Sequence, residues 1–182
     1  MEKIIITVVG PDRPRIVATV SKALFAKECN IENVSHTTLQ TEFAGIFIAS
    51  IPENFNLQDI HKSLKDKLIP LGLDVHVKLV NPPEFSQVTG EPFVITTRGP
   101  DRKGLVASIT GIIADYGINI ARFRAVFKGG SEPDKNIMIY EIDVPNGVDQ
   151  NKFCSDLKEK ANELGLEANV QHRKIFEVIN RI

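Results

Sequence analysis

The chain has 182 residues, 42% hydrophobic and 25% charged, with a formal net charge of −1. That length permits one medium domain or two small ones, and the composition is that of a folded globular protein rather than a disordered one. A near-neutral balance supplies no basic field for phosphate backbones, so direct nucleic-acid binding is not expected. No apolar run is long enough for a membrane span and residues 1–6 lack a signal-peptide pattern, so no membrane partner and a cytoplasmic location are expected.

Residues 3–9 are β-branched and apolar and end at Gly10-Pro11-Asp12, a strand closed by a turn. Pro14 suits the first turn of a helix, where its missing N–H is not needed, and Asp12 is the candidate N-cap. Ile16, Val20, Ala23 and Leu24 follow the helical period, with Lys27 at the flank and Asn30 at the exit. Residues 31–41 and 44–51 read as two strands joined by a tight connection around Glu42-Phe43. Ile60, Leu64, Leu68 and Leu71 share one face of a second helix, which Gly72 terminates. Val75, Val77 and Leu79 alternate as a last strand, completing the order βαββαβ.

Asn81-Pro82-Pro83-Glu84 is a stiff polar break, and residues 81–90 are expected to be a linker between domains at 1–80 and 91–173. The same order then returns. Phe93-Val94-Ile95-Thr96 is a strand. Leu105, Ile109, Ile112, Ile113 and Tyr116 form a helical stripe ended by Gly117. Residues 118–128 and 137–144 form a hairpin, Phe153, Leu157, Ala161 and Leu164 repeat the second-helix stripe, and 166–171 is the closing strand. Beyond it, residues 174–182 have the spacing of a short amphipathic helix.

The two halves are copies. Residues 10–31 and 99–120, aligned without gaps at an offset of 89, share eight identities in 22, including Gly-Pro-Asp-Arg, Val17/Val106, Ala18/Ala107 and Asn30-Ile31/Asn119-Ile120. Later pairs, among them Pro52/Pro145 and Leu71-Gly72-Leu73/Leu164-Gly165-Leu166, differ by 93. The extra four residues are expected in the tip of the second hairpin, around 128–135. An insertion that falls in a turn and spares both frames is what duplication of one unit produces.

Other chemistry is sparse. The two cysteines, Cys29 and Cys154, are too few for a disulfide framework and are expected to be reduced thiols. His36, His61, His76 and His172 lack metal-ligand spacing, and no metal or cofactor is expected. His36 and His76 fall on strands and read as satisfied surface or edge residues. Gly129-Gly130 reads as a hairpin tip rather than a phosphate loop, because no Gly-Lys-Ser/Thr follows. No catalytic constellation is visible in the order of residues, and an enzyme is not expected.

Two βαββαβ units, each with a Gly-Pro-Asp-Arg corner before its first helix and an Asn-Ile start to its second strand, resemble the ACT domain. Val9-Gly10-Pro11-Asp12-Arg13 with Ile16-Val17, and its copy with Gly104-Leu105-Val106, are similar to the glycine cleavage system transcriptional repressor type. The resemblance implies an α+β fold of two ferredoxin-like units with helices on one face of each antiparallel sheet. It further implies a small amino acid bound between the strand-to-helix corner of one domain and the second strand of a neighbour. Carried onto this chain, the corners are Asp12, Arg13, Arg15 and Ile16, and Asp101, Arg102, Gly104 and Leu105. The strand residues are Asn30 and Ile31, and Asn119 and Ile120. The family commonly has Gly where copy one has Arg15, so Arg15 is expected to close the first site and leave the second as the better candidate.

The physical basis is a helix N-terminus, whose unpaired N–H groups and partial positive charge suit a carboxylate. Gly104 admits close approach, Asp101 or Asn119 offers acceptors to an ammonium, and Leu105 with Ile120 fills the space beside a small side chain. The plain alternative is a capped turn without ligand, with Arg13 and Arg102 solvated or paired and Asn30 and Asn119 as simple turn residues. The expected function is therefore a non-enzymatic regulator that binds glycine or a serine-like amino acid, forms a homodimer and acts on a regulatory protein partner. The competing expectation is a ligand-independent assembly module.

Overall fold

In a computed structural model the chain forms two compact units, Met1–Glu84 and Phe85–Ile182. The structure describes residues 2–53, 56–81, 90–127 and 136–175. The expected tip at 128–135, the body of the 81–90 segment and most of the amphipathic tail lie outside those residues; within the tail, 173–175 are helical. Unit one runs β1 (Lys3–Pro11), α1 (Ile16–Phe25), β2 (Asn30–Leu39), β3 (Glu42–Ser50), α2 (Leu57–Leu68) and β4 (Asp74–Leu79). Unit two runs β5 (Gly90–Gly99), α3 (Leu105–Asp115), β6 (Asn119–Val126), β7 (Asn136–Pro145), α4 (Gln150–Glu163) and β8 (Glu167–His172). Each folds as a four-stranded antiparallel sheet, in the orders β2-β3-β1-β4 and β6-β7-β5-β8. Both are ferredoxin-like βαββαβ units. No helix among the described residues is long and apolar enough to cross a membrane.

Alternation on the strands and the 3.6-residue stripe on the helices meet in each core. In unit one Ile4, Ile6 and Val8 of β1 face Ile16, Val20 and Leu24 of α1 and Ile60, Leu64 and Leu68 of α2, all buried. In unit two Ile95 of β5 lies with Leu105, Ile109 and Ile113 of α3 and Phe153, Leu157 and Ala161 of α4. The edge strands β2 and β6 lie outside this cover and are exposed along nearly their whole length. The duplication extends to irregularities: the β2–β3 register slips between Ile31 and Asn33, and β6–β7 slips at the matching place between Ile120 and Arg122.

At the end of each central strand the backbone makes one close approach. A Cβ on Gly10 would stand 2.6 Å from the Gly72 carbonyl oxygen, and one on Gly99 would stand 2.7 Å from that of Gly165. The first residue of each corner is therefore glycine so that β1 or β5 can pass against the turn after the second helix. Gly72 and Gly165 themselves take left-handed backbone, φ 74° and 70°, as helix-terminating residues.

Several local expectations are corrected. Asp12 is not an N-cap and Pro14 is not in the first helical turn, because α1 begins only at Ile16 behind an Arg15 cap. The hairpin turns at Gln40-Thr41, with Gln40 at φ 55°, while Glu42 and Phe43 already belong to β3. Helix α1 ends at Phe25, so Lys27 sits in the turn beyond its stripe. Strand β5 extends from Gly90 rather than Phe93; Pro92 is tolerated because pairing with β8 begins at Phe93.

The α3–α4 contact includes a Tyr116 hydroxyl that donates to Asp156 Oδ2 at 2.6 Å, its ring edge-on to Phe153. That hydrogen bond, with added burial, pushes the Tyr116 phenol up to about 12, and burial alone pushes Tyr140 upward. These are the chain's two tyrosines. Ultraviolet absorbance titration should show no phenolate forming near the ordinary value of about 10 while the chain is folded. The Tyr116 contribution to stability is full below about pH 10 and is lost as pH rises toward the folded value; phenolate appearing in folded protein near pH 10 would count against the bond. Separately, Gly10→Ala and Gly99→Ala should each lower stability by about 1–3 kcal/mol, because the new methyl meets backbone that cannot yield cheaply. Urea denaturation midpoints equal to the parent would refute that reading.

Candidate functional site: two open corners

Each corner leads into a helix whose N-terminus is uncapped. Helix α1 starts behind Arg15 at φ 81°, ψ −1°, and α3 starts behind Gly104 at φ 88°, ψ −2°, with no side-chain cap on either and no acidic residue in either first turn. The other two helices differ. Asn56 accepts from the Gln58 amide at 2.9 Å to cap α2, and Asp149 accepts from the Lys152 amide at 3.0 Å to cap α4. The same chain thus satisfies the helices that begin away from the corners and leaves those at the corners to solvent or a ligand.

Both corners open onto clefts. The first, about 310 Å³, is lined by Asp12, Arg13, Arg15, Ile16, Val17, Ala18, His36, Thr38 and Phe43. The second, about 670 Å³, is lined by Asp101, Arg102, Gly104, Leu105, Val106, Ala107 and Phe127. Arg15 therefore borders an existing, smaller cleft. Space beside Gly104 is open: nothing lies within 4 Å of where a Cβ would stand.

Asp12 anchors its corner to the hairpin. Its amide donates to the Thr41 carbonyl at 2.7 Å, and its carboxylate accepts from the Thr38 hydroxyl at 3.4 Å. Arg102 donates to the Leu164 carbonyl at the end of α4, where a cation also meets the negative end of the helix dipole. Its role is therefore at least partly structural.

The strand residues are placed elsewhere. Asn30 pairs with Ser50 and Leu39 with Glu42, so Asn30 and Ile31 sit at the opposite end of the sheet from their own corner. About eight residues of extended strand, roughly 26 Å, intervene. Asn119 and Ile120 stand likewise at the start of β6, opposite Asp143 and Ile142. Within a unit it is the far end of the strand that reaches the corner. In unit one this brings His36, stacked on Phe43 with ring centroids 5.5 Å apart, and Thr38. In unit two it brings Phe127; Asn30-Ile31 and Asn119-Ile120 were expected to face the corner of a neighbouring domain, not that of their own unit. Sequence reasoning missed His36, Thr38 and Phe127; the hairpin register, which sets the end of β2 level with Gly10-Pro11 across β3, was the available signal.

Neither cysteine lines either corner cleft. Burial pushes both the Cys29 and Cys154 thiols upward, away from the reactive thiolate. Among the described residues no group of His, Cys, Asp or Glu could hold a metal ion.

Each of the tandem ferredoxin-like units thus carries an open helix N-terminus at its corner. A family model, the ACT domain, matches residues 2–78 and again 91–171. The chain belongs to the ACT domain family, whose members are regulatory and bind amino acids. Among curated relatives, a UPF0237 protein of Methanosarcina acetivorans is 34% identical over 95 residues, 52% of this chain and 100% of the relative. One from Methanopyrus kandleri is 34% identical over 79 residues, 43% of this chain and 88% of its own. Those relatives have the length of one unit; here two stand in one chain.

Two solved structures share the fold over nearly the whole length. An unknown protein from Galdieria sulphuraria superposes with TM-score 0.77 at 20% identity, covering 94% of this chain and 98% of that one. A "putative glycine cleavage system transcriptional repressor" gives TM-score 0.63 at 19% identity, covering 93% and 96%.

The left-handed backbone at Arg15 costs a non-glycine residue roughly 1–2 kcal/mol. Arg15→Gly should therefore raise stability by about 0.5 kcal/mol after allowing for the extra freedom of glycine in the unfolded chain. Thermal denaturation would check this, and a clear loss of stability would show that the Arg15 side chain makes a stabilising contact.

Proposed function

We propose that this chain is a non-enzymatic regulator that binds a small amino acid at its corners and passes the binding state to a partner protein. The observation that carries the reading is the division among its helices: α2 and α4 have side-chain caps, whereas α1 and α3, the two that open onto clefts, have none. A ligand carboxylate would supply the missing acceptor, with the helix dipole adding to the attraction. In the second cleft Gly104 would give the carboxylate access to the amides of Leu105, Val106 and Ala107, Asp101 would meet the ammonium, and Leu105 and Phe127 would offer apolar surface to an uncharged side chain. Glycine or a serine-like amino acid fits that description. Control of transcription in amino-acid metabolism is in keeping with the name of the repressor neighbour.

Coupling to a partner requires only that ligand bind one arrangement of the protein better than another. The exposed edge strands β2 and β6 favour a second reading, in which the chain assembles with itself or a partner regardless of ligand. Calorimetry against glycine, serine and alanine separates the two. Saturable heat is expected, and Gly104→Arg should weaken binding at the second corner at least tenfold; Arg15 shows that an arginine can occupy this backbone geometry. No heat for any amino acid, together with a homodimer by sedimentation, would leave the assembly reading standing and remove the sensing one.

A further inference from the structure

The two clefts share a skeleton but not a lining, and the difference has a definite chemical sense. Cleft one is lined by the N-terminal residues of α1, the Asp12 carboxylate, the guanidinium-bearing residues Arg13 and Arg15, and the His36 imidazole. Cleft two is lined instead by Asp101 and the apolar Leu105, Val106 and Phe127. At matched positions, Arg15 stands for Gly104, His36 for Ala125 and Thr38 for Phe127. The one arginine bordering cleft two, Arg102, is engaged by the Leu164 carbonyl. Arg13, its counterpart, makes no hydrogen bond or ion pair among the described residues.

We infer that the clefts have diverged in specificity, with cleft one taking an acidic amino acid and cleft two a small neutral one. The inference rests on the amino-acid-binding reading above. An acidic amino acid carries two carboxylates and one ammonium, and the cleft-one lining offers a partner for each: the α1 amides, Asp12 and the arginines. The side-chain carboxylate is the part that distinguishes it, and a guanidinium fork is the side chain best matched to a carboxylate. A neutral ligand placed in cleft one would leave Arg13 and Arg15 without an anion to meet. An acidic ligand in cleft two would set its side-chain carboxylate against Phe127 and Leu105, where the one charged donor among the described lining residues is Arg102, already engaged by the Leu164 carbonyl. Specificity therefore comes from both an attractive element in one cleft and an unfavourable one in the other.

The test is a backbone amide NMR titration of the full chain with L-aspartate, L-glutamate, glycine and L-alanine. It reads residues 16–18 for cleft one and 105–107 for cleft two. Aspartate or glutamate should shift residues 16–18 at concentrations at least tenfold lower than alanine does, while alanine or glycine should shift 105–107 first. Arg15→Gly, which preserves the backbone geometry seen at Gly104, should erase at least tenfold of the acidic preference at residues 16–18 and leave 105–107 unaffected. Arg13→Gln serves as a second, independent variant with the same expected direction. Equal response of both clusters to acidic and neutral ligands would overturn the inference while sparing amino-acid binding itself, as would a preference that survives both variants together. A chain that responds to none of the four at either cluster would overturn both.

Discussion

The approach of the central strand to the turn after the second helix is the constraint on which each corner depends. With 2.6 Å between a notional Gly10 Cβ and the Gly72 oxygen, and 2.7 Å at Gly99 and Gly165, the strand cannot carry a side chain where it leaves the sheet. From there the chain must rise and reverse into the first helix within five residues. It does so through one left-handed residue, Arg15 or Gly104, directly before the helix. A residue in that conformation cannot serve as the extended Ser, Thr or Asp that usually caps a helix, so the first amides emerge unsatisfied. The cleft is thus a geometric consequence of how tightly the central strand is packed.

Much of this was legible in the sequence, and the reasons are physical. Strand alternation and helical stripes encode burial, so Ile4-Ile6-Val8 and Ile16-Val20-Leu24 marked the core directly. The duplication was legible because an offset of 89 that changes to 93 places the insertion between two intact frames. Caps were less legible. Asp12 has the chemistry of an N-cap, yet its position is set by the turn that Gly10 starts, and its carboxylate goes to Thr38. The cleft linings were least legible, because His36 and Phe127 are brought to the corners by hairpin register, a relation between strands that composition within either strand does not express.

Duplication explains how the two corners can differ at so little cost to the fold. The parts that the fold requires, the corner glycines, the buried stripes and the slip in the second strand, are retained in both copies. The copies differ at buried positions such as Val20/Ile109 and Leu24/Ile113 as well as at the clefts, where Arg15 stands against Gly104 and Thr38 against Phe127. Substitutions on such surfaces usually change stability by less than about 0.5 kcal/mol, so they are free to follow ligand chemistry. Arg15 is the exception, since its left-handed backbone carries a penalty that glycine at the same place in unit two avoids.

The absent caps also connect binding to stability. A missing N-cap lowers the stability of a helix end by about 1 kcal/mol, so α1 and α3 begin with first turns that are less firmly held than those of α2 and α4. A carboxylate seated on those amides restores what the cap would have provided, and it does so only while ligand is present. Ligand at a hundred times its dissociation constant stabilises the bound form by about 2.7 kcal/mol, comparable to the stiffness the corners lack. The turn that is tightened is the one tied through Asp12 to the hairpin at Thr41 and through Arg102 to the end of α4. A ligand at a corner would therefore bear on the edge of the sheet in unit one and on the helix layer in unit two. Two similar clefts in one chain are in this way tied to different parts of their units.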